Sequence, residues 1–451
     1  MVNKLRQICT GTVNGYTSEG DGVVRLDGMA VFVPMTAIGD KLKVRIVKVL
    51  KSYAFGIIEE LLEGSPERCE PDCPVFQQCG GCTFRHVNYQ EELHYKEQYV
   101  HDVFARIGGL HPEFSPILEC EERDNYRNKA QYPVTDVNGH LVCGFYARHS
   151  HRVIPFTKCK LQPEIFTQIL EFLLPCLESC GISAYNEQNH SGELRHIYLR
   201  RGYHSGEMML CFISRVSIRK KLQKRIPELL QKFPQIVSVS ESVNPAKTNV
   251  IMGKSVSVLM GQNFIKDTMC GCEIGISPQS FYQVNTRQAE KMYRLAKQYA
   301  DLSGTETLLD LYCGTGSIGL SMADSVQKLI GVEVVASAVE NAWRNAEQNS
   351  IANAEFFCGD AGTIADTLWK QHLAPDVIVL DPPRKGCDNL TIQAVSEMSP
   401  SRIVMISCNP ATAARDCQLF AQNGYIAEKV TPVDLFPATS SVECVILLSR
   451  K

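Results

Sequence analysis

The spacing of hydrophobic and polar residues divides the chain into three parts. Over residues 1–62, short apolar runs alternate with polar positions and are separated by glycine. In the run that starts at Lys41, a period of two places Lys41, Lys43 and Arg45 on one face of a strand and apolar residues on the other. Several short strands without a helix predict a small β-barrel. The basic face suits a nucleic-acid phosphate backbone, and it equally suits a solvated edge strand protected by lysines.

Residues 63–275 mix β-rich runs with helical ones, which predicts a central α+β domain. An amphipathic helix is expected over about residues 90–107, and it is a candidate to pack on the domain that follows. Three stretches, which start at Asn125, Gly144 and Arg195, interleave basic and aromatic residues. That mixture suits phosphate contact combined with base stacking.

From residue 276 onward, strands alternate with helices. Four continuous apolar runs are predicted strands: Thr307–Tyr312, Lys328–Glu333, Val377–Asp381 and Arg402–Ile406. Uninterrupted apolar strands are typical of a parallel sheet that is buried on both faces. We therefore expect residues 276–451 to form one doubly wound α/β domain.

Composition narrows the class of protein. The formal net charge of −3 gives no global positive field, so a nucleic acid would have to be held by local basic patches. The segment Met1–Gly11 lacks the apolar core of a signal peptide, and the most apolar helical run, Ile165–Leu177, is too short to span a membrane. We expect a cytoplasmic protein without a membrane partner. In that compartment, clustered cysteines indicate a metal site or catalysis more readily than disulfides.

The densest cysteine cluster is CEPDCPVFQQCGGC, which contains Cys69, Cys73, Cys79 and Cys82. The two glycines between the last pair allow the backbone to wrap closely around an ion or cluster. Zinc could use all four cysteines, whereas an iron–sulfur cluster could use three of them and a distant fourth. The spacing alone slightly favours zinc, because four local ligands are present.

The segment LLDLYCGTGSIGL, from Leu308, runs from a strand through a glycine turn into a helix and formally contains G-x-G-x-x-G. Asp310 precedes this turn. At that position its negative charge would repel a pyrophosphate but would favour a cationic nucleoside such as S-adenosylmethionine. At the next strand ends, Glu333 is placed to take ribose hydroxyls and Asp360 to accept from an adenine amino group. Each acid could instead cap a helix.

Two further strand ends carry candidate chemistry. The two prolines after Asp381 give a rigid loop, which could hold a planar acceptor beside a methyl donor. Cys408, in VMISCNPATAARD, follows a strand at the edge where open α/β sheets bind ligands. Taken alone, it would be an inert buried thiol.

The motifs GISPQSFYQVN, LLDLYCGTGSIGL, LDPPRKG, ISCNPATAARD and DLFPATSSVECVILL occur in that order over residues 275–450. Together they resemble the RNA uracil-C5 methyltransferase family. The upstream CPVFQQCGGC is similar to the branch that carries an iron–sulfur cluster, and residues 1–60 resemble a TRAM domain, a small RNA-binding barrel of the OB type. The resemblance implies three domains: a barrel (1–62), a central iron–sulfur and RNA-binding domain (63–275) and a Rossmann-like methyltransferase domain (276–451).

The resemblance also implies a function. The expected reaction is methyl transfer from S-adenosylmethionine to C5 of a uridine in RNA, with 23S rRNA as the substrate of this branch. The enzyme would act as a monomer and would not bind DNA. No second cysteine occurs in Asp381–Arg384, where cytosine-C5 relatives usually carry one, and this favours uracil. The segment Phe436–Glu443 lacks the histidines that relatives often carry there, so a proton relay through them is not expected.

Site residues carry over from the family motifs one at a time. Cys408 matches the nucleophile that adds to uracil C6, and Glu443 matches the base that removes the C5 proton. Expected to contact the cofactor are Gln283, Tyr312, Ser317, Glu333, Asp360 and Asp381. Ser317 stands where many relatives carry asparagine. Expected to bind a [4Fe–4S] cluster are Cys73, Cys79, Cys82 and Cys159, which leaves Cys69 as an extra.

Three alternatives remain open on the sequence. The first is methylation of tRNA uracil. The second is a nicotinamide-dependent iron–sulfur oxidoreductase, which would rest on the glycine motif and the cysteines, although Asp310 and the Asp381–Arg384 loop argue against it. The third is an RNA-binding or RNA-folding protein for which methylation is secondary.

Overall fold

The computed structural model describes residues 5–451. Residues 1–4, which belong to the predicted barrel and to the segment compared with signal peptides, lie outside the described residues. Five strands close a barrel in the order β1-β2-β3-β5-β4. They are β1 (Ile8–Tyr16), β2 (Gly22–Leu26), β3 (Met29–Val33), β4 (Lys41–Val49) and β5 (Tyr53–Glu63). Alternate residues point inward and form a separate small core. The barrel therefore confirms this part of the predicted fold class.

The basic face of β4 is charge-compensated within the barrel wall. Each of its three cations forms an ion pair with a glutamate of β5, at N–O distances of 2.5, 2.6 and 2.8 Å: Lys41–Glu63, Lys43–Glu60 and Arg45–Glu59. The edge-strand alternative is wrong, because β4 pairs with β1 on one side and β5 on the other. Phosphate contact by this face stays a prediction, and it would have to compete with these glutamates.

A helix and a short strand upstream of the central sheet lie on the C-terminal domain. Helix α1 (Tyr89–Val103) begins at the N-cap Asn88 and continues into a π-helical turn, Phe104–Gly108. The turn and α1 pack on the last helix of the chain. Strand β6 (Glu113–Phe114) then joins the outer edge of the C-terminal sheet.

The central sheet has seven strands in the order β13-β12-β11-β10-β7-β8-β9. Its strands are β7 (Lys129–Val137), β8 (His140–Tyr146), β9 (Val153–Pro155), β10 (Leu194–Arg201), β11 (Met208–Ser214), β12 (Ile236–Val243) and β13 (Ser257–Gly261). Helices α2 (Glu164–Ser179), α3 (Arg219–Leu222) and α4 (Ile226–Lys232) cover one face. The hairpin of β14 (Ile265–Met269) and β15 (Cys272–Ile276) shares a core with the other face.

Burial of both sheet faces overturns one expectation. The RNA-contact prediction for the stretch at Arg195 is wrong, because β10 is buried from Leu194 to Arg200. Arg195 donates to the backbone carbonyls of Asn244, Ala246 and Thr248 at 2.9–3.0 Å. Arg195 therefore holds a loop inside the protein. The stretches at Asn125 and Gly144 keep half-exposed cations, so RNA contact by these two stretches stays a prediction.

The C-terminal sheet has eight strands in the order β18-β17-β16-β19-β20-β22-β21-β6. The remaining strands are β16 (Thr307–Leu311), β17 (Lys328–Glu333), β18 (Ala354–Cys358), β19 (Val377–Leu380), β20 (Arg402–Ser407), β21 (Tyr425–Val433) and β22 (Glu443–Arg450). The helices are α5 (Thr286–Ala300), α6 (Ser317–Leu320), α7 (Ala336–Gln348), α8 (Ala361–Lys370), α9 (Asn389–Met398) and α10 (Pro410–Gln422), with a 3₁₀ turn at Ala323–Ser325.

This sheet confirms the predicted doubly wound α/β architecture. Strands β16 to β20 pair in parallel, whereas β22 is antiparallel to both β20 and β21. Successive residues such as Leu308 and Leu309 enter separate cores on the two faces. Helices α5 and α7 cover one face, and α1, α8, α9 and α10 cover the other. Within residues 5–451, no helix combines the length and apolar character needed to span a bilayer.

Candidate active site and cysteine site

Cys408 lies in a two-residue junction between β20 and α10. Asn409 is the N-cap of α10, since its side chain accepts a hydrogen bond from the Ala411 N–H at 3.2 Å, and Pro410 is the first helical residue. The Asn409 side chain also donates to the Arg384 carbonyl at 3.0 Å. This bond ties the Cys408 junction to the rigid loop that follows Asp381.

Glu443 begins β22, directly beside the Cys408 junction. Ser407 pairs with Cys444 in the antiparallel register, so Cys408 and Glu443 form the next opposed positions. Glu443 is 4% exposed, and no residue in the described part of the chain donates a hydrogen bond to its carboxylate or forms an ion pair with it. A buried carboxylate without a partner is costly, which makes Glu443 a candidate functional group.

Electrostatics keeps this pair of groups protonated in the free protein. Burial, together with the negative charge of Asp381, raises the pKa of Glu443 to about 8, against an opposing effect of Arg384. Burial, then Glu443 and Asp381, raise the pKa of the Cys408 thiol to about 11. Both groups must lose a proton to act as a nucleophile and a base.

The glycine turn after β16 is held by an acid from the next strand. Glu333 accepts from the Gly314 N–H at 3.1 Å and from the Val335 N–H at 2.8 Å. Asp310 is 1% exposed; its Oδ2 accepts from the Gly319 N–H at 2.9 Å, whereas its Oδ1 has no partner. Burial raises the pKa of Asp310 to about 8. A cationic cofactor would supply the missing interaction, and a pyrophosphate would not.

One residue near both Gln283 and Ser317 was missed by sequence reasoning. Tyr293, in the middle of α5, is 2% exposed, and the Ser317 and Gln283 side chains lower the pKa of its phenol against the larger effect of burial, which raises it. The Gln283 carbonyl is fixed by the Asn128 amide at 2.8 Å. No local pattern distinguishes Tyr293 from an ordinary core tyrosine.

Phe281 is a further candidate that the sequence analysis did not single out. It lies two residues before Gln283 and is 65% exposed. An exposed aromatic ring at a strand-end site is suited to base stacking. Its signal in the sequence was its position inside the motif that also contains Gln283.

The remaining predicted cofactor residues differ in whether a hydrogen bond within the protein already occupies the carboxylate. Asp381 is half-buried, burial raises its pKa to about 7, and its charge acts on Cys408, Glu443 and Tyr293. Asp360 caps α8 by accepting from the Thr363 N–H at 3.1 Å, which is the alternative role that the sequence left open.

Two groups lie to the side of this centre. Tyr312 has a left-handed φ of 69° and directs its hydroxyl to Thr391 at 3.2 Å. Cys387 follows the Asp381–Arg384 loop but is 6% exposed, with its N–H bonded to Asp416 at 2.8 Å. Burial raises the pKa of the Cys387 thiol well above its usual range.

The four cysteines expected to bind a cluster line one cavity. Cys73, Cys79, Cys82 and Cys159 surround a volume of about 90 Å³, several times the ~10–15 Å³ that one water molecule needs. Burial raises the pKa of Cys159 to about 12. Cys69 lines a different cavity. In the described part of the chain, no group of three or more Cys, His, Asp or Glu side chains is arranged to hold a single metal ion.

Comparison with known proteins identifies the family of the chain. The family model of tRNA (uracil-5-)-methyltransferases matches residues 88–451, and the TRAM domain model matches residues 4–58. An uncharacterised RNA methyltransferase of Bacillus cereus is 42% identical over 435 residues, which are 96% of this chain and 95% of that protein. A second, from Halalkalibacterium halodurans, is 40% identical over 451 residues, 100% of this chain and 98% of that protein.

A solved structure is similar over the same extent. The crystal structure of Pyrococcus abyssi tRNA (uracil-54, C5)-methyltransferase in complex with S-adenosyl-L-homocysteine matches with a TM-score of 0.77 at 25% identity, covering 97% of this chain and 99% of that chain. The predicted family and enzyme class are thereby confirmed. The chain belongs to the tRNA (uracil-5-)-methyltransferase family and is an S-adenosylmethionine-dependent RNA methyltransferase with an N-terminal TRAM domain.

Proposed function

We propose that the protein methylates C5 of a specific uridine in structured RNA, with Cys408 as the nucleophile and Glu443 as the base. The observation that carries this proposal is the pairing of a half-buried thiol with a buried, unpartnered carboxylate across β20 and β22. Asp381 acts on both groups and on Tyr293 of the proposed cofactor site. The proposed nucleophile, base and cofactor contacts thus share one strand-end centre.

The chemistry requires both groups because uracil C5 is a weak nucleophile. The Cys408 thiolate forms a bond to C6, and the electrons of the C5=C6 bond move to C5 and the adjacent carbonyl. C5 then forms a bond to the sulfonium methyl group that S-adenosylmethionine would supply, and the methyl–sulfur bond breaks with its electron pair left on sulfur. Glu443 then takes the C5 proton, the C5–H electrons restore the C5=C6 bond, and the C6–S bond breaks to release the Cys408 thiolate.

The substrate we propose is 23S rRNA, in agreement with the TRAM-bearing branch that the chain resembles. The specific observation for the second candidate, tRNA, is the similarity to the P. abyssi tRNA (uracil-54, C5)-methyltransferase over almost the whole chain. Purified protein, labelled S-adenosylmethionine and total RNA from a strain that lacks the gene would distinguish them. Label in large-subunit rRNA supports the first candidate, and label in tRNA supports the second.

The nucleophile is tested in the same assay. Cys408→Ala should abolish labelling, whereas Cys180→Ala, at the C-terminal end of α2, should retain it. Undiminished labelling by the Cys408 variant would reject the mechanism.

We also propose a [4Fe–4S] cluster on Cys73, Cys79, Cys82 and Cys159. Support comes from the cavity that these thiols share. The four thiols lie around this cavity and are not arranged to bind one ion, which suits a multi-atom cluster better than a single ion. Anaerobically purified protein should contain iron and sulfide. Cys159→Ser should lose them and Cys69→Ser should keep them; stoichiometric zinc would reject the proposal.

A further inference from the structure

The loop that leads into Glu443 is held by two distant parts of the chain, and both act on Ala438. This residue is 8% exposed and has a φ of 66°, which is left-handed for a residue other than glycine. Its N–H donates to Glu92 Oε1 of α1 at 2.8 Å. Its carbonyl accepts from the N–H groups of Thr83 at 2.8 Å and Phe84 at 3.2 Å. Outside segments therefore use both backbone groups of Ala438.

One of these segments is the cysteine site itself. Thr83 directly follows Cys82, so a movement of Cys82 moves the donor to the Ala438 carbonyl. The Ala438 side chain packs in a small cluster with Tyr126 and Leu161, and Cys82 and Cys159 pack against that cluster. The cysteine site and the loop before the base therefore share a core.

Tyr126 adds a second link between the two sites. Its hydroxyl donates to the Pro437 carbonyl at 3.0 Å, one residue before Ala438. Tyr126 is 2% exposed, so this bond is shielded from water.

The opposite side of the loop is anchored independently of the cysteines. Lys96 of α1 donates to the Phe436 carbonyl at 3.2 Å and to Asp434 Oδ1 at 2.6 Å. None of these bonds involves one of the four cysteines. Cys408 also stands apart, since it lies on the β20 side and is tied to the Asp381–Arg384 loop through Asn409.

We propose that Ala438 is a positioning residue that couples the state of the cysteine site to the orientation of Glu443. The inference rests on the proposed function and assigns the cysteine site a task in it. When Cys82 and Cys159 are held together, Thr83 and Phe84 fix the loop and the carboxylate faces C5. When they are released, the loop shifts and proton removal slows. RNA binding and addition of Cys408 to C6 are left largely unchanged.

The first experiment follows the covalent intermediate in a single turnover. Labelled S-adenosylmethionine and substrate RNA are mixed with enzyme, and the methylated protein–RNA adduct is measured on denaturing gels. Ala438→Gly keeps the backbone bonds and the left-handed φ but removes the packing methyl group. We expect its adduct to form at the wild-type rate and to decay roughly tenfold more slowly.

Two controls make the result specific. Ala427→Gly removes a methyl group from an alanine that is buried to a similar extent, 7% exposed, on β21, and its adduct should decay at the wild-type rate. Glu443→Gln should accumulate adduct. Parallel slowing of formation and decay in Ala438→Gly, or unchanged decay, would overturn the inference; failure of Glu443→Gln to accumulate adduct would instead reject the proposed function.

The second experiment uses neither RNA nor the methyl donor. Amide hydrogen exchange is compared between the cluster-loaded full-length protein and its Cys159→Ser variant. We expect Thr83, Phe84 and residues 436–442 to exchange at least tenfold faster in the variant, because the bonds to Ala438 open more often. The α1 amides around Lys96 should exchange at the same rate in both. Equal exchange at residues 436–442 would overturn the coupling whatever the catalytic mechanism.

Discussion

Asp434 and Glu443 stand at the two ends of one loop, equally deep in the protein, and the structure treats them in opposite ways. Asp434 is 0% exposed and accepts from Lys96 Nζ at 2.6 Å and from the Tyr89 hydroxyl at 2.7 Å. Glu443 is 4% exposed and has no such partner in the described part of the chain. Burial by itself does not identify a catalytic carboxylate. A buried carboxylate that its surroundings leave unpaired is the stronger candidate, because its burial costs stability without a compensating ion pair.

The largest effect should come from neutralising the unpaired acid. Glu443→Gln keeps the shape of the side chain and removes the proton acceptor, so turnover should fall by about 10²–10⁴-fold. Multiple-turnover labelling of RNA measures it. Glu428→Gln, an exposed glutamate on β21, is the matched control and should retain full turnover. A loss of less than threefold in Glu443→Gln would remove the distinction drawn between the two carboxylates.

The paired acid should instead matter for stability. Lys96→Met leaves Asp434 and Glu92 buried without their shared cation, which should cost about 3–5 kcal/mol of unfolding free energy. Urea denaturation measures the change. Lys429→Met is the control, since this lysine pairs with Glu113 at the surface and should lower the free energy of unfolding far less. Equal losses of unfolding free energy in the two variants would show that the buried ion-pair network contributes no more to stability than a surface pair does.

The unpaired acid should also reduce stability as pH rises. The folded protein keeps the Glu443 proton up to about pH 8, whereas the unfolded chain loses it near the ordinary value of 4.5. The contribution of protonated Glu443 is therefore complete below pH 4.5 and is lost as pH rises through about 8. Relative to wild type, Glu443→Gln should gain about 3–4 kcal/mol between pH 5 and pH 8 in denaturation experiments. A constant difference over that range would contradict the raised pKa.

The smallest effect we expect is on the pH dependence of methyl transfer. With a pKa of about 8, ionised Glu443 rises roughly tenfold between pH 7 and pH 9. The Cys408 thiolate fraction increases over the same range, because its pKa is also raised, to about 11. The single-turnover rate should therefore rise at least tenfold. A flat or falling profile would show that bound RNA and cofactor have reversed the electrostatics of the free site.

Residues that directly follow strands were the predictable part of the site. Glu333, Asp381 and Cys408 each end a continuous apolar strand, so their meeting at one sheet edge follows from the sequence pattern and parallel topology. Tyr293 could not be predicted in this way, since only tertiary packing brings a mid-helix phenol close enough to Gln283 and Ser317 for both to affect its pKa.

The RNA-contact interpretation of the Arg195 stretch was wrong, and the Lys41 face proved to be charge-compensated, for a shared physical reason. The stretch at Arg195 has the composition of an RNA-binding surface, but a second layer of structure covers it. The Lys41 face is paired by glutamates of a neighbouring strand, and their contribution becomes apparent only when the barrel closes. Local composition describes a strand and does not reveal what packs on it. The domain boundary near residue 275 stays a prediction, while α1 and β6 lie on the C-terminal sheet.

That placement of α1 and β6 has a consequence for biosynthesis. Phe114 of β6 pairs with Val430, and Lys96 with Asp434, so partners leave the ribosome more than 300 residues apart. At about 5–20 residues per second, the apolar side of α1 waits roughly 15–60 s for β21 and β22. During that interval the side chains of Val100 and Phe104, both buried in the folded protein, lack these partners. The Glu443 side of the proposed catalytic centre forms only after β22 has been synthesised.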